Sequence, residues 1–143
     1  MIFWDASALV PLYVKESNSA ALQSVAKKDS DIVVWWGSLI ECYSAVARRR
    51  KEKFLSPDQE DQIRKWLTLA SAKWTELQPS DEIRGIAAQL LLRHPLHAAE
   101  SLQLAAAILW AEKAPRGQSF ACLDTVLREA ARKEGFVLLP ISP

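Results

Sequence analysis

Apolar and polar positions follow two rhythms along this chain. Continuous apolar runs stand at Ile2-Phe3-Trp4, Ile32-Val33-Val34-Trp35-Trp36, Ser119 to Leu123 and Phe136 to Leu139. Short runs rich in β-branched and aromatic residues predict strands buried on both faces, as in the interior of a parallel sheet. Lys73 to Gln78 is a weaker candidate for one more strand. Between the runs, apolar residues recur three and four apart, the spacing of helices packed on a core. Ser17 to Lys28 shows it with Ala21, Leu22, Val25 and Ala26, and Ile63, Trp66, Leu67 and Ala70 show it again.

Polar punctuation sets the boundaries. Ala6 to Tyr13, with Pro11 inside it, predicts a short helix or turn. Ser17 or Asn18 offers a cap for the helix that follows, and Asp29-Ser30-Asp31 a turn. Ser38 with Glu41 three residues on predicts a capping box for a helix over Leu39 to Lys51, whose basic end, Arg48-Arg49-Arg50-Lys51, suits the negative pole of the helix dipole. Ser56-Pro57-Asp58-Gln59 and Pro79-Ser80-Asp81-Glu82 open two further helices, the second running to about Leu92. Pro95 breaks the chain before an alanine-rich buried helix from His97 to Glu112. After a turn at Pro115-Arg116-Gly117 and the third run comes a helix over Thr125 to Lys133, which Gly135 terminates. Strands alternating with helices imply an α/β fold with a parallel sheet covered on both faces. With no repeat, low-complexity stretch or linker, residues 1–143 are expected to form a single domain.

Composition narrows the functional classes. A net charge of +1 excludes a generally basic nucleic-acid coat while leaving room for a local basic patch. Six tryptophans suggest core or interface indoles. Cys42 and Cys122 lack paired spacing and read as small buried hydrophobes in a reducing compartment, although spacing alone does not forbid a bridge. Asp5 interrupts the first apolar run with no basic stretch before it, so no signal peptide is expected. No apolar segment has spanning length, and a cytoplasmic location is the expectation. Four glycines leave no phosphate-cradling loop.

Four acids carry the chemistry. Asp5 and Asp124 each end an apolar run just before a helix, and parallel strands place such corners on one edge of the sheet, where open α/β folds bind ligands. Glu41 falls in the first turn of its helix, near the same edge. Glu100 lies in Ala98-Ala99-Glu100-Ser101-Leu102-Gln103-Leu104, with little polar company, and a buried carboxylate is costly unless paired or bound to a metal. Each acid also has an ordinary reading: Asp5 and Asp124 as helix caps, Glu41 as a capping-box member, Glu100 on a solvated face answering Arg93 or Lys113. Should the four converge, like charges would persist only with a divalent cation, and an all-oxygen donor set suits Mg²⁺ or Mn²⁺. Arg48 is two turns along the helix from Glu41 and is a candidate for holding a phosphate, or else part of a solvated helix end. Ser7 reads as a hydroxyl orienting Asp5 or a metal-bound water, or as a plain cap, because no histidine is placed to make it a nucleophile. His94 and His97 lack partners for zinc and are expected in a surface loop.

These residues resemble a known family. Ile2-Phe3-Trp4-Asp5-Ala6-Ser7-Ala8-Leu9 is similar to the opening of PIN-domain ribonucleases, in particular the VapC-type toxins of toxin–antitoxin pairs. Ser38-Leu39-Ile40-Glu41-Cys42-Tyr43-Ser44-Ala45 resembles the segment of their second acid. Ala98 to Ala105 resembles an A-x-D-A-L-H-L-A pattern, with Glu100 in place of aspartate and Gln103 in place of histidine. Phe120-Ala121-Cys122-Leu123-Asp124 resembles the segment of the last acid. The resemblance spans nearly the whole chain. It implies a three-layer α/β/α PIN-like fold with a mostly parallel sheet of four or five short strands. It also implies a metal-dependent ribonuclease with Asp5, Glu41, Glu100 and Asp124 around Mg²⁺ or Mn²⁺, a homodimer, and a small antitoxin that covers the groove and inserts a basic side chain among the acids. Trp35, Trp36, Trp66 and Trp74 are candidates for such contacts or for the core. Two other classes remain: a non-catalytic PIN-like module binding RNA or protein, and a phosphoryl-transfer domain with Asp5 as nucleophile. The second lacks the nearby acid and the lysine its chemistry requires.

Overall fold

The computed structural model describes residues 1–143 and contains one five-stranded sheet with all neighbours parallel. The strands are β1 (Ile2–Trp4), β2 (Ile32–Trp35), β3 (Thr75–Leu77), β4 (Ser119–Ala121) and β5 (Val137–Leu139), in the spatial order β3-β2-β1-β4-β5. The helices are α1 (Ala6–Leu9), α2 (Ser19–Lys28), α3 (Ser38–Lys51), α4 (Pro57–Ser71), α5 (Asp81–Arg93), α6 (Ala98–Trp110) and α7 (Thr125–Glu134), with a single 3₁₀ turn at Val10–Leu12 after α1.

The pleat divides the apolar runs between two cores, which is why the runs are continuous. Phe3, Val33, Trp35 and Phe120 face one side and pack with Leu90, Leu104 and Leu127 of α5, α6 and α7. Ile2, Trp4, Val34 and Ala121 face the other and pack with Leu9, Leu22, Val46 and Leu67 from α1 to α4. Phe3 is fully buried, with its ring 5.3 Å from Phe120 and 6.1 Å from Trp110 between centroids. Fully burying a side chain of this size contributes about 1.5–3 kcal/mol. Three layers, α/β/α, result.

From β1 the chain steps outward to β2 and β3, then returns to β4 on the opposite side of β1 and ends at β5. The order therefore reverses between β1 and β4, and a crevice opens there beyond the carboxyl ends of the strands. Asp5 follows β1 and Asp124 follows β4.

Local chemistry accounts for most boundaries. Ser56 Oγ accepts from Gln59 N at 3.1 Å and Gln59 Oε1 accepts from Ser56 N at 2.8 Å, closing the capping box of α4. Gly135 takes φ +112° at the end of α7. The predicted box at the head of α3 is absent. Gly37 occupies the cap and Ser38 the first helical position. A Cβ at residue 37 would come within 2.6 Å of Trp35 Nε1, so the close-lying indole demands glycine there. His94 is another correction. It is buried, and its Nε2 lies 2.6 Å from Glu134 Oε2, which ties the end of α5 to the end of α7. The third run is strand only as far as Ala121: Cys122 N still donates to the Leu139 carbonyl at 3.0 Å, and the amides of Leu123 and Asp124 then turn to Ser7 Oγ. Both cysteines are buried and free. No helix is long and apolar enough to cross a membrane.

Candidate active site

Asp5 is the N-cap of α1: its Oδ2 accepts from Ser7 N at 3.1 Å and from Ser7 Oγ at 2.5 Å. That hydroxyl in turn accepts from Leu123 N at 2.9 Å and Asp124 N at 3.3 Å. Ser7 thus fastens the corner after β1 to the corner after β4. Cys122 Sγ also donates to Asp5 Oδ2 at 3.6 Å. Asp124 caps α7, its Oδ1 accepting from Leu127 N at 2.9 Å. Burial raises the Asp5 carboxyl above the usual aspartate range. The bonds from Ser7 pull against that rise, and the negative charge of Asp124 adds to it.

Glu41 points across the cleft from α3 and meets Gln103 of α6. Gln103 is buried, and its Nε2 donates to Glu41 Oε2 and, at 2.9 Å, to Ser38 Oγ. Glu41 and Ser38 therefore both bond to Gln103 rather than to each other. Burial pushes the Glu41 carboxyl up to about 7; the Gln103 bond opposes the shift, and the charges of Asp5 and Glu100 reinforce it. Glu100, expected deep among apolar side chains, is only half-buried. Its Oε2 accepts from His97 N at 2.8 Å, so it caps its own helix. The cations proposed to answer it are engaged elsewhere, Arg93 with Glu134 and Lys113 with Glu82.

All four acids line one cleft of about 500 Å³ at the β1–β4 crevice, together with Ser7, Gln103 and Arg48. Each spends one oxygen on the protein: Oδ2 of Asp5, Oε2 of Glu41, Oε2 of Glu100 and Oδ1 of Asp124. The second oxygen of each accepts no hydrogen bond within the chain. The ordinary readings as caps and the reading as one acidic site hold together, because capping consumes only half of a carboxylate. As the side chains stand, no three acids close to metal-holding distance. Each acid is instead engaged by a local bond of its own. The chemistry of this donor set nevertheless fits a hard dication: four carboxylates, each with an uncommitted oxygen, and no soft ligand presented. Arg48 and Arg49 are the cations on the cleft wall. Arg48 is exposed and unpaired, whereas Arg49 donates to Glu16 at 2.5 Å and to the Ala45 carbonyl at 3.0 Å.

Three roles escaped the sequence reading. Gln103 supplies the amide that fixes Glu41. Cys122 lies against Asp5, and its thiol is pushed up by burial and by that carboxylate. Arg128 donates to the carbonyls of Cys122 at 2.7 Å and Pro140 at 2.9 Å, bracing the chain before Asp124. A long-range contact such as that between Ser7 and Leu123 leaves no periodic signature in sequence.

At the level of sequence no family model matches the chain, and no curated protein matches it. Solved structures do. FitAcB from Neisseria gonorrhoeae superposes with a TM-score of 0.70 at 16% identity, over 100% of each chain. VapC20 from Mycobacterium tuberculosis, a sarcin–ricin loop cleaving toxin, superposes at 0.67 with 15% identity, covering 96% of this chain and 97% of that one. A chain from a Klebsiella pneumoniae toxin–antitoxin complex gives 0.61 at 14%, covering 87% and 88%. The fold is that of the VapC-type PIN toxins. Within this PIN-like fold the cleft lies between β1 and β4, and its acids come from the loop after β1, α3, α6 and the loop after β4.

Proposed function

We propose that the protein is a divalent-metal-dependent ribonuclease, the toxin of a toxin–antitoxin pair. The observation that carries this reading is the set of four carboxylates lining one cleft at the topological switch, each with an oxygen to spare. Asp5, Glu41, Glu100 and Asp124 would hold Mg²⁺ or Mn²⁺. Such an ion supplies activation of water and stabilises charge on the leaving oxygen of a phosphodiester. The chain's own side chains do the remainder. Ser7 orients Asp5 and locks its corner to that of Asp124, so two acids from distant segments keep a fixed spacing. Gln103 aims Glu41. Arg48, unpaired on the rim, meets the phosphate backbone. Glu41, its carboxyl pushed up to about 7, would have to be ionised to hold such an ion.

The likeness to VapC20 and to the chain of a toxin–antitoxin complex supports RNA as substrate and an antitoxin as partner. Exposed Trp36 and Ile40 at the head of α3 supply apolar area for a homodimer, and a cytoplasmic enzyme fits a chain without a spanning helix. The test is cleavage of single-stranded RNA with Mg²⁺, with Mn²⁺ and with EDTA. Wild type cleaves only with metal, and Asp5→Asn abolishes cleavage while leaving the fold intact. Activity retained in both Asp5→Asn and Asp124→Asn, with metal present and purity controlled, removes the assignment. One observation favours a second reading, a non-catalytic RNA- or partner-binding module: the Glu100 side chain is turned back onto His97. Absence of metal-dependent cleavage together with retained RNA binding selects it.

A further inference from the structure

A second, larger cavity of about 820 Å³ adjoins the acidic cleft. Its walls come from the segment after the 3₁₀ turn, the end of α3, the loop that follows and the outer face of α4. Glu16, Arg48 and Arg49 line both spaces, so they form the wall between them. The groove presents two aromatic side chains that the core does not use: Phe54 is 75% exposed and Trp66 46%. Three cations, Lys15, Arg48 and Arg49, face two acids, Glu16 and Glu52, and Arg49 already satisfies Glu16.

The charge distribution gives the direction of a bound polyanion. Inside the acidic cleft every other charged group is a carboxylate, and the cations stand only on the shared wall. A phosphodiester chain with one phosphate at the acids therefore finds compensation for its neighbouring phosphate at Arg48, and it leaves the cleft over that residue. Beyond the wall it meets Trp66 and Phe54, aromatic faces of the kind on which unpaired bases stack regardless of sequence. We infer that this groove is the subsite for nucleotides flanking the scissile phosphate, holding single-stranded RNA with Arg48 on a phosphate and Trp66 and Phe54 under the bases. The inference deepens the ribonuclease reading and rests on it for the position of the scissile phosphate.

The test is equilibrium binding of a short fluorescein-labelled single-stranded oligoribonucleotide of mixed sequence, by anisotropy in EDTA, so that cleavage does not compete. Trp66→Ala and Phe54→Ala each weaken binding about tenfold, the size of one lost stacking contact. Trp66→Phe keeps most of the affinity, and unchanged circular dichroism in each variant excludes misfolding. Arg48→Ala lowers the slope of log affinity against log salt by roughly 0.7, one phosphate contact on a single strand. Affinities within about twofold of wild type in both aromatic variants overturn the inference. So does a groove that binds an amphipathic peptide while both variants keep their RNA affinity. Wild-type cleavage in Mg²⁺ is measured alongside. Its absence sinks the ribonuclease reading, whereas cleavage by wild type with unchanged binding in the variants sinks the groove alone.

Discussion

Gln103 and Glu41 meet at the back of the acidic cleft, the buried amide donating to Glu41 Oε2 while its own Oε1 has no partner. The bond is the one local contact that favours the charged form of Glu41 against burial and two like charges. A neighbour that orients a ligand typically changes metal affinity by about 10–100-fold. Gln103→Leu keeps the volume and removes the donor. Calorimetric titration with Mn²⁺ is expected to show affinity about tenfold lower at pH 7, with much of the loss recovered at pH 8.5. The cost in stability is expected at about 1–3 kcal/mol, since the buried Ser38 Oγ and Glu41 Oε2 both lose their donor while the amide's own unpartnered Oε1 leaves with it. Unchanged Mn²⁺ affinity at pH 7 would show that the amide does not orient Glu41.

Glu41 also gives the metal-free protein a distinctive pH response. Its folded value, about 7, lies above the ordinary 4.5, so the folded chain holds that proton more tightly than the unfolded one. The stability this group confers is complete below pH 4.5 and is lost as pH rises through about 7; Asp5, also raised, acts in the same direction. In EDTA, the thermal midpoint is expected to decline across that window. Mn²⁺ reverses the decline above pH 7 and does little near pH 5. A midpoint that rises with pH through the window in EDTA contradicts this account.

Asp124 has two separable jobs. Asn is as good a cap as Asp, whereas Ala loses the bond to Leu127 N, worth about 1 kcal/mol. Urea unfolding is expected to place Asp124→Asn within a few tenths of a kcal/mol of wild type and Asp124→Ala about 1 kcal/mol lower. Both variants lose metal-dependent cleavage. Cleavage surviving in Asp124→Asn would leave this residue as a cap alone.

The apolar runs and the cap residues made the fold largely legible, because a sheet covered on both faces writes itself as continuous hydrophobic segments. β1 and β5 lie at their expected places, and the capping box at Ser56 closes as the sequence implies. The acids could be named but not arranged. Whether Glu41 bonds to Ser38 or to Gln103 depends on α6 packing beside α3, a contact between residues 62 positions apart. The Ser38 box is absent because α3 begins one residue early, with Gly37 at the cap, and Ser38 Oγ accepts from Gln103 instead. His94 reads as a surface-loop residue in the sequence because its partner, Glu134, is 40 positions away.

That His94–Glu134 contact offers a control remote from the cleft. Burial alone would raise the Glu134 carboxyl, but the bonds from His94 and Arg93 outweigh it and hold the group below the usual range. His94→Ala leaves the α5 and α7 ends joined only through Arg93. It is expected to cost about 1–3 kcal/mol in urea unfolding, the range for losing a partner to a charged, partly buried group. RNA cleavage at saturating metal should be unaltered, since neither residue lines the cleft. A parallel loss of activity would mean that the two ends of the sheet are mechanically coupled.

Every acid in the cleft is tethered by half of its carboxylate, so four distant segments hold their places through bonds made within the chain. On the proposed reading an arriving cation would find each donor already anchored, and a blocker would need only to occupy the free halves.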